Sequence, residues 1–312
     1  MARYTQLESA DIEEIVRQYN LAVVDFAPIE GGAGNSSYKL QTEQGDYVLT
    51  VFDDKTRNYV VRLGKLLSWL AEWEFPTTRL TLSLKGSSVA MYRDKPILLK
   101  PFITGQVCTV WDEAMLRQVG MALATLHQMP VPDFLPDKHS YGRQAFATVI
   151  GQNIHPFYES WLAGRYAYLM QHIPSDLPRT LIHGDLFYDN VLFEGQMFRA
   201  IIDFEEACRY YRTFDLGMGI VGLCTQGTTV ALDKARSFVD GYQQGQRLEE
   251  REKEALQLFV EYAAIATSYW RFWKYYIHMP LPEKADKPFQ MKQLAEAVRA
   301  IPKANFLAAI FN

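Results

Sequence analysis

The sequence has few cysteines, no long apolar run and no block of like charges. Its cysteines, Cys108, Cys208 and Cys224, are odd in number, far apart and free of any CxxC pair, so neither a disulfide framework nor a zinc ribbon is indicated. No apolar stretch approaches the ~20 residues of a membrane span, and the first residues carry acids instead of the apolar core of a secretory signal. A net charge of −4 argues against a nucleic-acid partner. We therefore expect a cytoplasmic protein that binds neither membranes nor nucleic acid.

A length of 312 residues suggests about two lobes. The first third is rich in strand patterns, at 37–41, 47–52, 88–92 and 96–102, with one helix predicted over 59–73. After residue 102 the apolar spacing becomes helical, apart from one strand-like block at 180–202. The pattern predicts a mixed α/β lobe followed by a mainly helical lobe.

The segment from 181 to 205 carries the chemistry. Two apolar runs, 191–193 and 198–202, flank a turn and predict a hairpin. Asn190 precedes the first strand and Asp203 follows the second, so the hairpin brings both to the same end. An amide oxygen and a carboxylate are hard ligands suited to Mg²⁺. Asp185, five residues before Asn190, is placed to accept a proton from a substrate hydroxyl that attacks a phosphate.

Two stretches, H-x-D-x-x-x-x-N at 183–190 and I-D-F-E at 202–205, resemble the signature of the aminoglycoside phosphotransferase and choline kinase superfamily. The resemblance implies an α+β, protein-kinase-like bilobal fold, with an antiparallel-sheet N-lobe (1–102) that binds the nucleotide and a mainly helical catalytic C-lobe (103–312). It also implies ATP as phosphate donor, Asp185 as catalytic base, and Asn190 and Asp203 as Mg²⁺ ligands.

The same resemblance suggests where the nucleotide is held. The turn-rich segment 31–36 lies where a phosphate-covering loop belongs, because glycines let backbone N–H groups approach phosphate oxygens. The candidate contacts there are Gly32, Gly34, Asn35 and Ser36. Backbone groups around Lys100 and Phe102 are expected to bind adenine.

Two further residues match positions in this superfamily. His127, which ends an L-A-x-L-H helix segment, is interpreted as structural. Asp215 is expected to hold the catalytic loop, with a plain helix N-cap as the alternative.

One expected residue is missing. These kinases usually carry a lysine on the strand after the glycine loop, and this chain has Thr50 there. Either another cation contacts the phosphates, with Lys39, Lys55 and Arg57 as nearby candidates, or activity is lost.

Several motifs narrow the resemblance to the homoserine-kinase branch. They are Y-V-L-T-x-F at 47–52, H-x-D-L-F-x-D-N-V-L-F at 183–193, I-D-F-x-x-A-C at 202–208 and R-F-W at 271–273. The branch implies a small-molecule kinase acting on a hydroxyl of an amino acid or amino alcohol, with homoserine as the preferred substrate. Three alternatives stay open: a choline or ethanolamine kinase, an aminoglycoside-type kinase, and an impaired nucleotide-binding homologue. A protein kinase is disfavoured, since 203–205 is not D-F-G and no A-P-E follows.

Homoserine carries an ammonium and a carboxylate, so its site needs both an acid and a base. The candidate acids are Asp189, Glu205 and Glu206, and the candidate bases are Arg209, Arg212 and Arg271. The aromatic helix 261–278 is first interpreted as a core helix. A substrate wall that includes Trp273 is the alternative, because aromatic faces attract amines.

Overall fold

The computed structural model describes residues 5–29 and 34–312, and the chain divides into two compact units. The first contains the residues up to Gly105 together with Arg199–Glu205, and the second contains Gln106–Phe198 and Glu206–Asn312. The predicted division after residue 102 therefore differs from the observed one, because the chain returns to the first unit along the second hairpin strand. No helix in the described part of the chain is long and apolar enough to span a bilayer.

The first unit is built on a five-stranded antiparallel sheet in the order β1-β2-β3-β5-β4. Its elements are α1 (Ser9–Arg17), β1 (Val23–Pro28), β2 (Ser36–Thr42), β3 (Gly45–Val51), α2 (Arg57–Glu72), β4 (Ala90–Tyr92) and β5 (Lys95–Pro101). The observed sheet confirms the predicted antiparallel sheet. It also contains β1, which the strand patterns in the sequence do not predict.

Alternation along the strands gives this sheet two different faces. One face packs on α1 and contributes Leu40, Leu49 and Leu99, each fully buried, to the core. The opposite face carries Thr50 and its strand partners. Helix α1 begins at a capping box, in which the Asp11 carboxylate accepts the N–H of Glu8 at 2.9 Å.

The second unit is mainly helical, as predicted. Its elements are β6 (Gln106–Val107), α3 (Glu113–Gln128), α4 (Pro156–His172), β7 (Arg179–Ile182), β8 (Val191–Glu194), β9 (Met197–Ile201, which leaves the unit after Phe198), β10 (Cys208–Tyr211), α5 (Arg212–Leu223), β11 (Thr225–Gln226), β12 (Thr229–Val230), α6 (Leu232–Gly245), α7 (Glu250–Phe272), α8 (Lys287–Ala300) and α9 (Lys303–Phe311). Short 3₁₀ turns lie at Arg143–Thr148, Tyr188–Asn190 and Pro282–Lys284, and a π-helical turn at Trp273–His278. Strand β7 pairs antiparallel with β10, and β6 with β8.

Helices α3 and α6 approach each other through glycine. A Cβ on Gly120 would lie 2.1 Å from the Phe238 carbonyl oxygen, and one on Gly241 would lie 2.1 Å from the Arg117 carbonyl oxygen. Both distances are far inside van der Waals contact, so only glycine allows this backbone packing. The close approach places the end of α3 beside α6, where it positions a histidine of the candidate site.

Candidate active site

The predicted catalytic loop lies between β7 and the 3₁₀ turn at Tyr188–Asn190, within the second unit. Gly184 has a φ of +85°, in the left-handed region that favours glycine. A Cβ there would lie 2.7 Å from the Glu206 carbonyl oxygen and 2.8 Å from His139 Nε2. The loop therefore requires glycine directly before Asp185, for reasons of both conformation and space.

Asp215, in the first turn of α5, holds this loop by its backbone. Its carboxylate accepts the N–H of His183 at 2.7 Å and the N–H of Gly184 at 2.8 Å. Two hydrogen bonds therefore support the expected role of Asp215 in holding the catalytic loop. Burial raises the pKa of Asp215, but the hydrogen bond and charge of His127 outweigh burial, and the net pKa is lowered. His127 Nε2 lies 3.1 Å from this carboxylate, and its Nδ1 lies 2.9 Å from the Tyr242 hydroxyl.

Two residues that lie outside the sequence motifs, His139 and Tyr141, also contact the candidate catalytic segment. His139 Nε2 lies 3.0 Å from the Gly184 carbonyl oxygen, which can only accept, so this nitrogen carries the proton. Burial lowers the pKa of His139 to about 4, so the ring is neutral near pH 7. The Tyr141 hydroxyl lies 2.7 Å from Asp185 Oδ1 and 3.1 Å from the Gly184 carbonyl oxygen. Tyr141 therefore donates to the predicted base.

Asp185 and Asn190 are connected through the loop. The amide Nδ2 of Asn190 donates to the Asp185 carbonyl oxygen at 2.8 Å, and lies 3.5 Å from its carboxylate. Because the nitrogen points at the loop, the amide oxygen is the Asn190 atom that is suited to a cation. Asp185 is half-buried, so a substrate can approach its carboxylate.

Arg271, near the end of α7, belongs to the same electrostatic neighbourhood. Burial lowers the pKa of its guanidinium, while Tyr275 and the charges of Asp185 and Asp189 act in the opposite direction. The guanidinium carbon lies 6.0 Å from the ring centre of Phe187 in the catalytic loop. A positive group and two carboxylates are therefore near one another in the second unit.

The aromatic helix serves mostly as core, as its first interpretation predicts. The Tyr262 hydroxyl lies 3.0 Å from that of Tyr210 and accepts the N–H of Arg143, and the residue is fully buried. Beyond Phe272 the helix changes to π-helical winding, and Trp273 stacks on His278 with ring centres 4.7 Å apart. The indole beside Tyr141, with ring centres 6.3 Å apart, is that of Trp270. The indole of Trp273, a candidate substrate residue, therefore already stacks on the His278 ring.

In the first unit, Glu205 is the centre of a polar cluster. Asn35 Nδ2 donates to its carboxylate at 2.5 Å, Lys55 Nζ lies 3.9 Å away, and the Tyr59 hydroxyl donates to its carbonyl oxygen at 2.7 Å. The carboxylate proposed for a substrate amine is therefore engaged by two residues of its own unit. The other amide atom of Asn35, Oδ1, is buried without a hydrogen-bond partner among the described residues.

Ser36 belongs to a second network. Its hydroxyl donates to Asp53 Oδ2 at 2.6 Å and accepts the N–H of Thr5 at 2.8 Å. Lys95 Nζ lies 2.7 Å from Asp53 Oδ1. This network ties the start of β2 to the loop after β3, so the Ser36 hydroxyl already has a structural role.

The remaining residues that are predicted to contact the nucleotide are Gly32, Gly34, Phe102 and Lys100. Gly32 lies outside the described residues, and a Cβ on Gly34 would meet nothing within 4 Å. The N–H of Phe102 donates to the Asp46 carbonyl oxygen at 2.9 Å. Burial lowers the pKa of Lys100, and the charges of Asp203 and Glu205 act against that shift.

Asp203 adopts a φ of +65°, which non-glycine residues rarely take and which clusters at functional sites. Its Oδ1 lies 3.4 Å from the N–H of Glu205. A carboxylate oxygen such as that of Asp203 is a ligand type that hard divalent cations such as Mg²⁺ prefer.

Comparison with known proteins shows the family to which this chain belongs. Residues 25–258 match the model of the phosphotransferase enzyme family. A homoserine kinase of Phenylobacterium zucineum (strain HLK1) is 28% identical over 275 residues, which are 85% of this chain and 85% of that protein.

Solved structures share the fold over nearly the whole chain. The amicoumacin kinase hAmiN, in complex with AMP-PNP, Ca²⁺ and Ami, covers 96% of this chain and 95% of its own, with 14% identity and a TM-score of 0.73. A microcompartment-associated aminopropanol kinase covers 96% of this chain and 99% of its own, with 15% identity and a TM-score of 0.71. These likenesses confirm the predicted kinase-like fold. With its family model matched over most of its length, the chain belongs to the phosphotransferase enzyme family.

Proposed function

We propose that this phosphotransferase transfers the γ-phosphoryl group of ATP to the side-chain hydroxyl of homoserine. The observation that carries the proposal is the position of Arg271, whose guanidinium carbon lies 6.0 Å from the ring centre of Phe187 in the loop that contains Asp185. The charges of Asp185 and Asp189 act on this guanidinium. An α-amino acid has its carboxylate and ammonium on adjacent atoms. A guanidinium beside an acid complements that pair, and a second acid remains for the hydroxyl. Homoserine kinases among the relatives support the same substrate.

Contacts elsewhere favour Arg271 over the other candidate bases. Arg212 is buried in a bidentate ion pair with Glu252, and Arg209 is an exposed residue 3.9 Å from Asp137. Among the acids, Glu205 is engaged by its own unit, and Glu206 accepts the hydroxyl of Ser140. Asp189 is our candidate for the ammonium, because its charge acts on the Arg271 guanidinium that we assign to the substrate carboxylate.

The reaction balances with one base. The homoserine oxygen forms a bond to the γ-phosphorus, and the bond from that phosphorus to the β,γ-bridging oxygen breaks. The hydroxyl proton passes to the Asp185 carboxylate, and the products are O-phosphohomoserine and ADP. Asp185 mainly orients the hydroxyl, because phosphoryl transfer depends on positioning and charge neutralisation.

Asn190 and Asp203 would hold Mg²⁺, which when bound neutralises charge on the phosphates.

The Asp185→Asn substitution is expected to abolish turnover and to leave ADP affinity largely unchanged, because the amide cannot accept the proton. An Asp185→Asn enzyme with full activity would remove the base assignment.

A substrate panel tests the specificity. ATP consumption is measured with homoserine, 3-aminopropan-1-ol, ethanolamine, choline and an aminoglycoside. We expect homoserine to have the highest kcat/KM, and Arg271→Met to raise its KM while changing that of 3-aminopropan-1-ol little. Arg209→Met is the matched control. Equal use of aminopropanol would instead indicate an amino-alcohol kinase, and ATP consumption with none of the panel would indicate another acceptor or an impaired homologue.

A further inference from the structure

The nucleotide needs a cation that the β3 strand does not provide. Kinases of this fold place a lysine of strand β3 on the phosphates, and position 50 is a threonine. Thr50 is buried, and its hydroxyl lies 3.3 Å from that of Ser37. A neutral hydroxyl cannot replace an ammonium, so the positive charge has to come from a residue other than Thr50.

Three other lysines of the first unit have anionic partners. Lys39 Nζ forms an ion pair with Asp46 at 2.8 Å, and Lys95 Nζ forms one with Asp53 at 2.7 Å. Lys55 lies 4.7 Å from the ring centre of Tyr59 and 3.9 Å from the Glu205 carboxylate. Each of these charges therefore has a partner within the unit.

Lys100 differs from them in position. In the β3–β5 pair, Thr50 is opposite Leu98, and Val48 is opposite Lys100. Residues directly opposite in an antiparallel pair project to the same face, and so do residues two apart in one strand. Lys100 thus projects to the face of Thr50, one diagonal step away, a spacing that a long side chain spans. Leu99 between them projects into the core.

The surroundings of Lys100 also leave its charge for a ligand. Its ammonium makes no ion pair within 4.0 Å among the described residues, although the charges of Asp203 and Glu205 influence it. A partly buried ammonium without a partner is costly, unless an anion from outside supplies the missing charge.

We propose that Lys100 supplies the cation that binds the phosphates of the nucleotide, in place of a lysine at position 50. The ligand class is a nucleoside di- or triphosphate. The proposal deepens the proposed function, because it rests on nucleotide binding, but it does not depend on which acceptor is phosphorylated.

Calorimetric titration with ADP and with adenosine tests this role. Lys100→Met is expected to weaken ADP binding about 10- to 100-fold, the range for a hydrogen bond to a charged group, and to leave adenosine affinity unchanged. Lys100→Arg should retain most of the ADP affinity, which shows that the loss is one of charge. Lys65→Met, on the exposed surface of α2, is the matched control for removal of a lysine.

A relocation variant makes the test sharper. Adding Thr50→Lys to Lys100→Met returns the charge to β3, and we expect it to recover part of the lost ADP affinity. Unchanged ADP affinity in Lys100→Met, or an equal loss of adenosine binding, would overturn the proposal. So would a larger loss in Lys39→Met or Lys55→Met. Wild-type protein that binds no ADP would overturn both proposals, whereas ADP binding without homoserine turnover would overturn only the substrate assignment.

Discussion

Replacing Tyr141 with phenylalanine is expected to lower kcat while leaving KM for ATP and for the acceptor within about twofold, because the lost contact belongs to the base and not to a bound substrate. The Tyr141 hydroxyl donates to Asp185 Oδ1 at 2.7 Å from a buried ring. The substitution removes one oxygen and keeps the ring against His139, with which it packs edge-on at 4.2 Å. The catalytic carboxylate then loses its restraint on one side.

The magnitude follows from the contacts that remain. A hydrogen bond to a charged group contributes about 1.5–3 kcal/mol. The other carboxylate oxygen keeps the amide of Asn190 at 3.5 Å, which favours the lower part of that range. About 1.5–2 kcal/mol in the barrier corresponds to a roughly 10- to 30-fold lower kcat. Loss of the donor also makes the carboxylate a stronger base, but phosphoryl transfer depends more on the position of the base than on its strength.

Steady-state kinetics beside a matched variant provides the assay. Tyr158→Phe removes an equally buried hydroxyl, which contacts Ser268 at 3.0 Å, in the same unit but away from the base. Each variant should lose about 1 kcal/mol of unfolding free energy, while only Tyr141→Phe loses kcat. A wild-type kcat in Tyr141→Phe, a loss confined to KM, or an equal loss in Tyr158→Phe would refute the reasoning.

Three further outcomes are expected. Asp203→Asn should abolish the Mg²⁺ dependence of ADP affinity in calorimetry without unfolding the chain, since asparagine also tolerates the φ of +65°; a retained Mg²⁺ effect would contradict the ligand assignment. Gly120→Ala should cost at least about 2 kcal/mol in urea unfolding because its Cβ would lie 2.1 Å from the Phe238 carbonyl oxygen, whereas Gly164→Ala, with open space around its Cβ, should be neutral or stabilising. Because the pKa of His139 is about 4 in the folded chain and about 6.5 when unfolded, the unfolded state takes up its proton first as pH falls, and stability should drop by up to about 3 kcal/mol between pH 6.5 and 4. His139→Asn should show a shallower acid-side decline, and an unchanged one would count against this origin.

The candidate catalytic segment can be predicted from the sequence because its signals are local. Asp185 and Asn190 are five residues apart and share one loop, and a hairpin pattern follows directly. Tyr141 and His139 carry no such signal. Their contacts to the loop span more than forty residues, and the 133–142 segment has no periodic pattern that could indicate a buried face. Strand β1 was missed for a related reason, since Val24 is 73% exposed and the run lacks clear alternation.

Trp273 illustrates a different limit. The substrate-wall alternative for the aromatic helix 261–278 assumes a constant period of 3.6 residues along the whole helix. The π-helical turn begins at Trp273 and closes each hydrogen bond one residue later than an α-helix does. The side chains that follow Trp273 therefore do not continue the helix face that a 3.6-residue period predicts. A periodicity argument cannot detect this change of winding, because it presupposes the period.

A motif can be absent from a sequence while another residue supplies its chemistry, as we propose for Lys100 and the missing β3 lysine. Phosphoryl transfer requires a positive charge near the phosphates, but it does not require that one particular strand carry it. Neighbouring antiparallel strands offer several positions on one face within reach of a lysine side chain, and the β3–β5 register makes Lys100 one of them. The register is a property of the sheet and cannot be read from either strand alone. A threonine at position 50 is therefore no argument for lost activity until the cross-strand positions on its face have been examined for the charge.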